Sequence, residues 1–394
     1  MRILIIGGGA AGMMAALTAS ENPNHQVILA ERQSRLGRKL LATGNGRCNL
    51  TNRNMGKEHY HGEQRNFCNY ALNYFNVDMT LEYFRTLGLL TVTEPSGRVY
   101  PYSDSANSVL DVMRLPLELR KNVSILTGME ILSLEKWKGC FVAKTAEEEL
   151  QADRVILCAG GLAGSKLGGT EMGYKLLCSM GHSRTKLFPS LVQLKTDSTF
   201  VKSLKGVRAE ALVRYGKACA RGELQFTDYG VSGPVIFELS RAALGGELRI
   251  DLLPDYSSEE LLELLECRKK TLPELKAEDL LTGLLHNRLG RTLLRACGLS
   301  LEQSCEGIRD LTMVVKMCKS FILAVTGTMG MEQAQVTAGG IRTEEFDPTT
   351  MESKLCPGLY AAGEVLDIDG DCGGYNLQWA WSSGRLAGEL RGKA

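Results

Sequence analysis

The chain of 394 residues is short of several features that would settle its class at once. Its twelve cysteines include no C-x-x-C pair, and their scatter from Cys48 to Cys372 argues against a disulfide framework and against a zinc site. Isolated cysteines of this kind are expected as small apolar core residues. The five histidines gather no thiol or carboxylate ligands in sequence; His59-x-His61 is the one close pair, so no metal is expected. A charge excess is also lacking: 46 Lys and Arg stand against 45 Asp and Glu, a formal net charge of +1. Such a balance provides no field for gathering nucleic acid or anionic membrane. No window approaches the ~20 apolar residues needed to span a bilayer. The apolar opening is too short, and too soon broken by glycine, for a secretory signal. These absences point to a cytoplasmic protein.

What the chain has is size and well-placed glycine. Its length and 44% hydrophobic content allow two or three domains with buried cores. Residues 2–6 are a short apolar run that predicts a buried parallel strand. Gly7-Gly8-Gly9-Ala10-Ala11-Gly12 comes next, and residues 13–20 predict a helix. Gly7-x-Gly9-x-x-Gly12 therefore stands between strand and helix, where each glycine has a task. Gly7 permits a tight turn, Gly9 lets a pyrophosphate approach the backbone past Ala11, and Gly12 lets the helix lie close to the strand. The phosphates then meet free N–H groups at the positive end of the helix dipole. A second strand over 26–30 ends at Glu31-Arg32, about 20 residues on, where an acid accepts hydrogen bonds from an adenosine ribose. An acid there disfavours a 2′-phosphate, which leaves FAD or NAD.

The next segment favours flavin. Residues 37–52 crowd glycine, amide and cationic groups where a plain NAD dehydrogenase would run directly into a helix. Gly44 and Gly46 suit backbone passing close to a ligand. Arg38 and Lys39 can neutralise a pyrophosphate, while Asn45 and Asn49 can hydrogen-bond ribityl or ring atoms. Arg47 and Cys48 complete the stretch. The run 38–52 resembles the signature of the HI0933-like flavoproteins, a bacterial group that includes aminoacetone oxidase-type enzymes and bile-acid enone reductases. Further matches are Gly97-Arg98-Val99-Tyr100-Pro101, the run 105–110, Cys158-Ala159-Gly160-Gly161, residues 222–227, residues 336–340 and residues 350–354. The resemblance runs nearly end to end and implies FAD binding. It also implies that Ala159, Gly160 and Gly161 pass near the pyrophosphate and that backbone near Ile131 contacts adenine. An ordinary β-hairpin over 122–131 is the competing reading of that last segment.

Residues 358–391 tell a similar story. Gly358 to Glu364 is a short strand ending in Gly363 and an acid, which looks like the second FAD motif of two-dinucleotide flavoproteins, with Glu364 toward a ribityl hydroxyl. The glycines before Tyr375 would let the backbone N–H groups of Tyr375, Asn376 and Leu377 reach the flavin ring at the start of a helix over about 377–390. A calcium loop over Asp367, Asp369 and Asp371 fails, because Gln378 stands where the twelfth-position Glu belongs.

Between the two ends, short apolar runs at 191–194, 211–215, 224–226, 248–252 and 321–327 predict an antiparallel barrel-like insert. Ser257 and Glu260 form a capping-box start to leucine-rich helices over 261–296. The expected architecture is α/β. A Rossmann-like FAD domain takes 1–187 and 331–394, a β-barrel-like insert 188–255 and 312–330, and a helical subdomain 256–311. The loop 228–234 either closes over the flavin or turns a barrel corner. The leading expectation is hydride transfer between flavin N5 and a small organic substrate. In one form NAD(P)H, without a Rossmann domain of its own, drives reduction of a steroid-like enone; in another O2 oxidises an amine or ketone. Tyr375 and Tyr229 are the candidate proton donors. A tRNA-modifying flavoprotein is the rival from another class, and the oligomeric state is left open.

Overall fold

The computed structural model describes residues 1–241 and 245–392. The chain divides into two compact units, one of Met1–Pro189 with Gln335–Ala394 and one of Ser190–Ala334. Each has its own buried hydrophobic cluster.

The first unit is built on a five-stranded parallel sheet. Its order is Leu359–Ala361, Arg154–Leu157, Arg2–Ile6, Gln26–Glu31 and Val123–Thr127. The central strand Arg2–Ile6 is flanked on both sides, so Ile3, Leu4 and Ile5 are fully buried, as an uninterrupted apolar run requires. Helix Ala10–Ala19 buries nine of its ten residues. A helix that is apolar all round needs cover on more than one side. Part of that cover is the final helix, Tyr375–Gly388, in which Gly384 and Gly388 lie four residues apart on one face. A Cβ at Gly384 would come within 2.5 Å of Ala11 O, and one at Gly388 within 2.7 Å of Ala15 O. The two ends of the chain thus pack backbone to backbone.

The expected strand pair over 122–131 is instead one parallel edge strand, Val123–Thr127. The chain then turns back across the end of the second strand: Gly128 N–H donates to Gln33 O and Met129 N–H to Glu31 O, both at 2.9 Å. The open sheet edge beside Gln26–Glu31 draws the segment into the ladder in place of a local hairpin. The last helix starts at Tyr375, two residues before the predicted point, because Gly374 in the left-handed region supplies its cap.

In the second unit, six strands close an antiparallel barrel in the order Leu194–Thr196, Gly230–Ser232, Ala218–Phe226, Arg208–Tyr215, Gly246–Asp251 and Phe321–Thr328. Val213, Leu224, Phe226, Leu248 and Ile250 alternate inward. The capping box forms: Ser257 and Glu260 satisfy each other's backbone N–H groups ahead of helix Ser258–Thr271. The leucine-rich helices expected up to residue 296 are Ser258–Thr271, ending just before Pro273, and Asn287–Ala296, with a short turn of helix at Ala277–Asp279 between them.

Candidate functional site

The first glycine turn is closed by backbone at two points and open at a third. Gly7 has φ +106° and donates to Ala30 O at 2.8 Å; a Cβ there would lie 2.4 Å from Cys158 O. At Gly12 a Cβ would lie 1.8 Å from Gly7 O. At Gly9 it would meet nothing within 4 Å, and Gly9 caps the helix without any side-chain bond. The helix therefore begins beside open space, as a phosphate site needs. Ala11, on the first turn, touches Gly363: a Cβ on that glycine would stand 2.9 Å from the Ala11 Cβ.

Both predicted acids lie at strand ends. Glu31 accepts from Gly8 N–H and Gln33 N–H, each at 2.7 Å. Glu364 accepts from Thr337 N–H at 2.8 Å and from Lys39 Nζ at 2.6 Å. That ion pair joins groups 325 positions apart and brings the predicted pyrophosphate cation to the predicted ribityl acid. Gly161 sits against the same carboxylate, since its Cβ would be 2.5 Å from Glu364 Oε1. Beside it Gly160, at φ +70°, faces open space. Ala159 borders Gly7, 2.9 Å from that residue's Cβ position. Arg32 donates to Gly168 O at 3.1 Å, and Arg38 to Gln33 and Lys166 O. Ile131 is buried in the core just beyond the turn over Glu31.

The segment after Lys39 reaches the other end of the chain. Gly44, Asn45, Gly46 and Cys48 all adopt positive φ, which winds the backbone tightly through Thr43–Gly46. Leu50, Thr51 and Asn52 then bond Trp381, Gln378 and Gly373 at 2.7–3.0 Å. Gly374, at φ +100°, fits only because it lacks a Cβ, which would stand 2.6 Å from the Thr51 carbonyl. Asn49 is placed between these segments, and its Oδ1 is buried with no hydrogen-bond donor among the described residues. A buried orphan acceptor costs roughly 1–3 kcal/mol unless a partner arrives.

Other predicted contacts are engaged within the protein. Arg47 is held by Asp104 at 2.5 Å and Glu94 at 3.2 Å and lies over Tyr100; Asp104 first, then Glu94, raise its pKa. Cys48 is fully buried, and burial pushes its thiol up to about 12, far from a redox-active thiolate. Asn376 ties the loop to the helix through Gly370 N–H at 2.8 Å and Gly370 O at 2.7 Å. Leu377 is half-buried behind it. Tyr375 is buried, stacks on His59 with 4.3 Å between ring centroids, and donates to Asn54 O at 3.3 Å. Tyr229 lies in the second unit, where its carbonyl accepts from Thr196 N–H at 3.1 Å; the segment 228–234, expected as a loop, contains the barrel strand Gly230–Ser232 and leads into a helix at Pro234.

Asp371 forms a pairing that sequence reasoning misses. It bridges His61 Nε2 at 2.6 Å and His59 Nδ1 at 3.0 Å. Burial pushes its carboxyl up, yet the hydrogen bonds from His61 and His59 outweigh that and hold it below the usual carboxylate range. In sequence the histidines and the aspartates stand as separate candidate metal sets. Spacing two apart, which puts His59 and His61 on one side of extended chain, is the available signal. Among the described residues no group of three or more His, Cys, Asp or Glu is placed to hold a metal ion.

The residues present fit an extended dinucleotide: open backbone at Gly9, Gly46 and Gly160, acids at two strand ends, and an unsatisfied amide oxygen at Asn49. Residues 1–390 match the family described as HI0933-like protein Rossmann domain. The chain is 39% identical to a 3-dehydro-bile acid delta(4,6)-reductase of Clostridium scindens, with 98% of each chain covered. It is 30% identical to a ribosomal RNA dihydrouridine synthase of Escherichia coli, over 96% of this chain and 95% of that one. An E. coli quinol fumarate reductase shares the fold at a TM-score of 0.51 and 16% identity, covering 99% of this chain and 69% of that one. No helix among the described residues is long and apolar enough to cross a membrane. From the glycine turns at both ends to the full-length match, the chain belongs to the HI0933-like Rossmann-domain family of flavoprotein oxidoreductases.

Proposed function

We propose that this protein binds FAD and uses it to reduce a carbon–carbon double bond conjugated to a carbonyl in a small, steroid-like substrate, with NAD(P)H as the electron donor. The observation that carries this is a shared reaction type. A 3-dehydro-bile acid delta(4,6)-reductase and a dihydrouridine synthase, by the names of the relatives, both saturate a C=C bond next to C=O. Bound FAD supplies the hydride, and the protein's part is to hold, orient and protonate. Gly9 and the first turn of helix Ala10–Ala19 would take the pyrophosphate, and Glu31 the adenosine ribose. Glu364 and Lys39 would lie along the ribityl chain. Asn49 Oδ1 would find its missing donor on the flavin or its chain.

A nucleic-acid substrate is the second reading, favoured by the dihydrouridine synthases at 30% identity. The charge pattern supports the small molecule instead. On the second unit, Arg208 pairs with Glu223, Arg221 with Asp255, Arg249 with Glu247 and Lys276 with Glu302. Cations neutralised in this way contribute little to holding a polyanion. The test is to photoreduce the bound FAD and follow its re-oxidation. A 3-oxo-Δ4 steroid is expected to restore the oxidised spectrum under nitrogen, faster than a uridine-containing RNA. Re-oxidation only on readmitting air would replace this reading with the oxidase one.

A further inference from the structure

Enone reduction needs a proton as well as a hydride, and the assignment of its donor rests on the enone reading. We propose that His61, held through Nε2 by Asp371, donates the proton to the carbon beside the substrate carbonyl, with His59 as the positioning residue. Asp371 Oδ1 lies 2.6 Å from His61 Nε2, and Oδ2 lies 3.0 Å from His59 Nδ1. A bidentate carboxylate of this kind fixes both rings and supplies the counter-charge for a proton on either. His59 is further restrained: its ring stacks on Tyr375, and its Nε2 stands 3.9 Å from Glu58 Oε1. Among the described residues the His61 ring has only the one bond, so Nδ1 remains to serve a second partner. Its side chain is 30% exposed, against 5% for Tyr375 as a residue. The cluster also sits at the right end of the site. Tyr60–His61 pairs with Asp369–Gly370, and Asp371 N–H donates to His59 O at 2.9 Å. Four residues on, Tyr375 opens the helix whose N-terminus is the predicted flavin-ring contact.

Atoms and electrons balance in this step. Reduced FAD, when bound, would supply the hydride to the β-carbon and be oxidised in doing so. The π pair of the C=C bond moves to the α-carbon and forms a C–H bond with the proton leaving His61. The imidazolium becomes imidazole and regains a proton from solvent.

The experiment uses the FAD-loaded protein, photoreduced under nitrogen and mixed with either a 3-oxo-Δ4 steroid or ferricyanide. Ferricyanide takes electrons without any carbon being protonated. His61→Gln is expected to slow re-oxidation by the enone by ~100-fold or more, leave the ferricyanide rate and the FAD dissociation constant unchanged, and recover part of the enone rate with added imidazole. Asp371→Asn is expected to show a smaller loss of the same kind. Enone re-oxidation at the wild-type rate in His61→Gln overturns the proposal, as does equal slowing with both acceptors, which marks a structural role. A wild-type protein that ferricyanide re-oxidises but the enone does not would sink the enone reading itself, and this assignment with it.

Discussion

The first unit contains two glycine turns that open helices, and they differ in what makes glycine necessary. At Gly12 the obstacle is local, the carbonyl of Gly7 in the same turn, while Gly7 itself meets the Cys158 carbonyl just past the adjacent strand. At Gly374 the obstacle is Thr51, more than 300 positions away in sequence. The first turn is a local strand–turn–helix device whose spacing alone announces it. The second is a device of assembly, in which glycine is required only once residues 49–52 have been brought against it. The same residue type thus reports local geometry in one place and long-range packing in the other.

Substitutions at both turns, at Asn49 and at His182 have distinct expected outcomes. The largest effects are expected at the closed positions. Gly12→Ala and Gly374→Ala each drive a Cβ into backbone and should cost about 3 kcal/mol. That lowers the melting temperature by roughly 6–12 °C. A tolerated Gly374→Ala beside a damaging Gly12→Ala would show the second turn to be soft. Gly9→Ala should leave stability within about 0.5 kcal/mol, because its Cβ enters open space, yet weaken FAD by ~10-fold, about 1.4 kcal/mol. Titration of FAD into the apoprotein checks it; unchanged affinity would remove the phosphate from that turn.

Asn49→Ala should separate the two states of the site. Without cofactor it deletes an unsatisfied acceptor and is expected to be neutral or stabilising by up to about 1 kcal/mol. With cofactor it should weaken FAD by about tenfold, and equal loss of stability in both states would show that Asn49 is structural. The smallest effect concerns His182, buried against Glu345 at 2.8 Å and Ser353 at 2.9 Å. Burial lowers its pKa, partly opposed by Glu345. The unfolded chain therefore binds the proton first as pH falls through about 6.5, and the stability His182 contributes above that pH is lost below it. Denaturant midpoints at pH 7.5 and 5.5 should fall less in His182→Asn than in the wild type.

Much of the site is legible in the sequence because its parts are local. Gly7-x-Gly9-x-x-Gly12, the acid at 31 and the short strand before Glu364 are all features of contiguous chain. The barrel strands are legible by alternation, although the first of them lies later than its apolar run suggests, at Leu194–Thr196, after Leu191 turns through a left-handed conformation. Pairings across distance are not legible. In sequence Lys39 points to a phosphate and Glu364 to a sugar, with no sign that they touch each other. His59, His61 and Asp371 look like fragments of two metal motifs. Val123–Thr127 looks like half of a hairpin, because the open sheet edge that captures it is nowhere near it in sequence.

By itself the sequence determined the flavoprotein family and the class of fold, since strand, turn and helix each follow from a few consecutive residues and from the period of their apolar positions. Tertiary structure alone decided which side chains face one another: Lys39 with Glu364, Asp371 between two histidines, Asn49 left without a donor. Those facts arise when backbone segments hundreds of residues apart are forced within a few ångströms by close packing, and no local propensity encodes that distance.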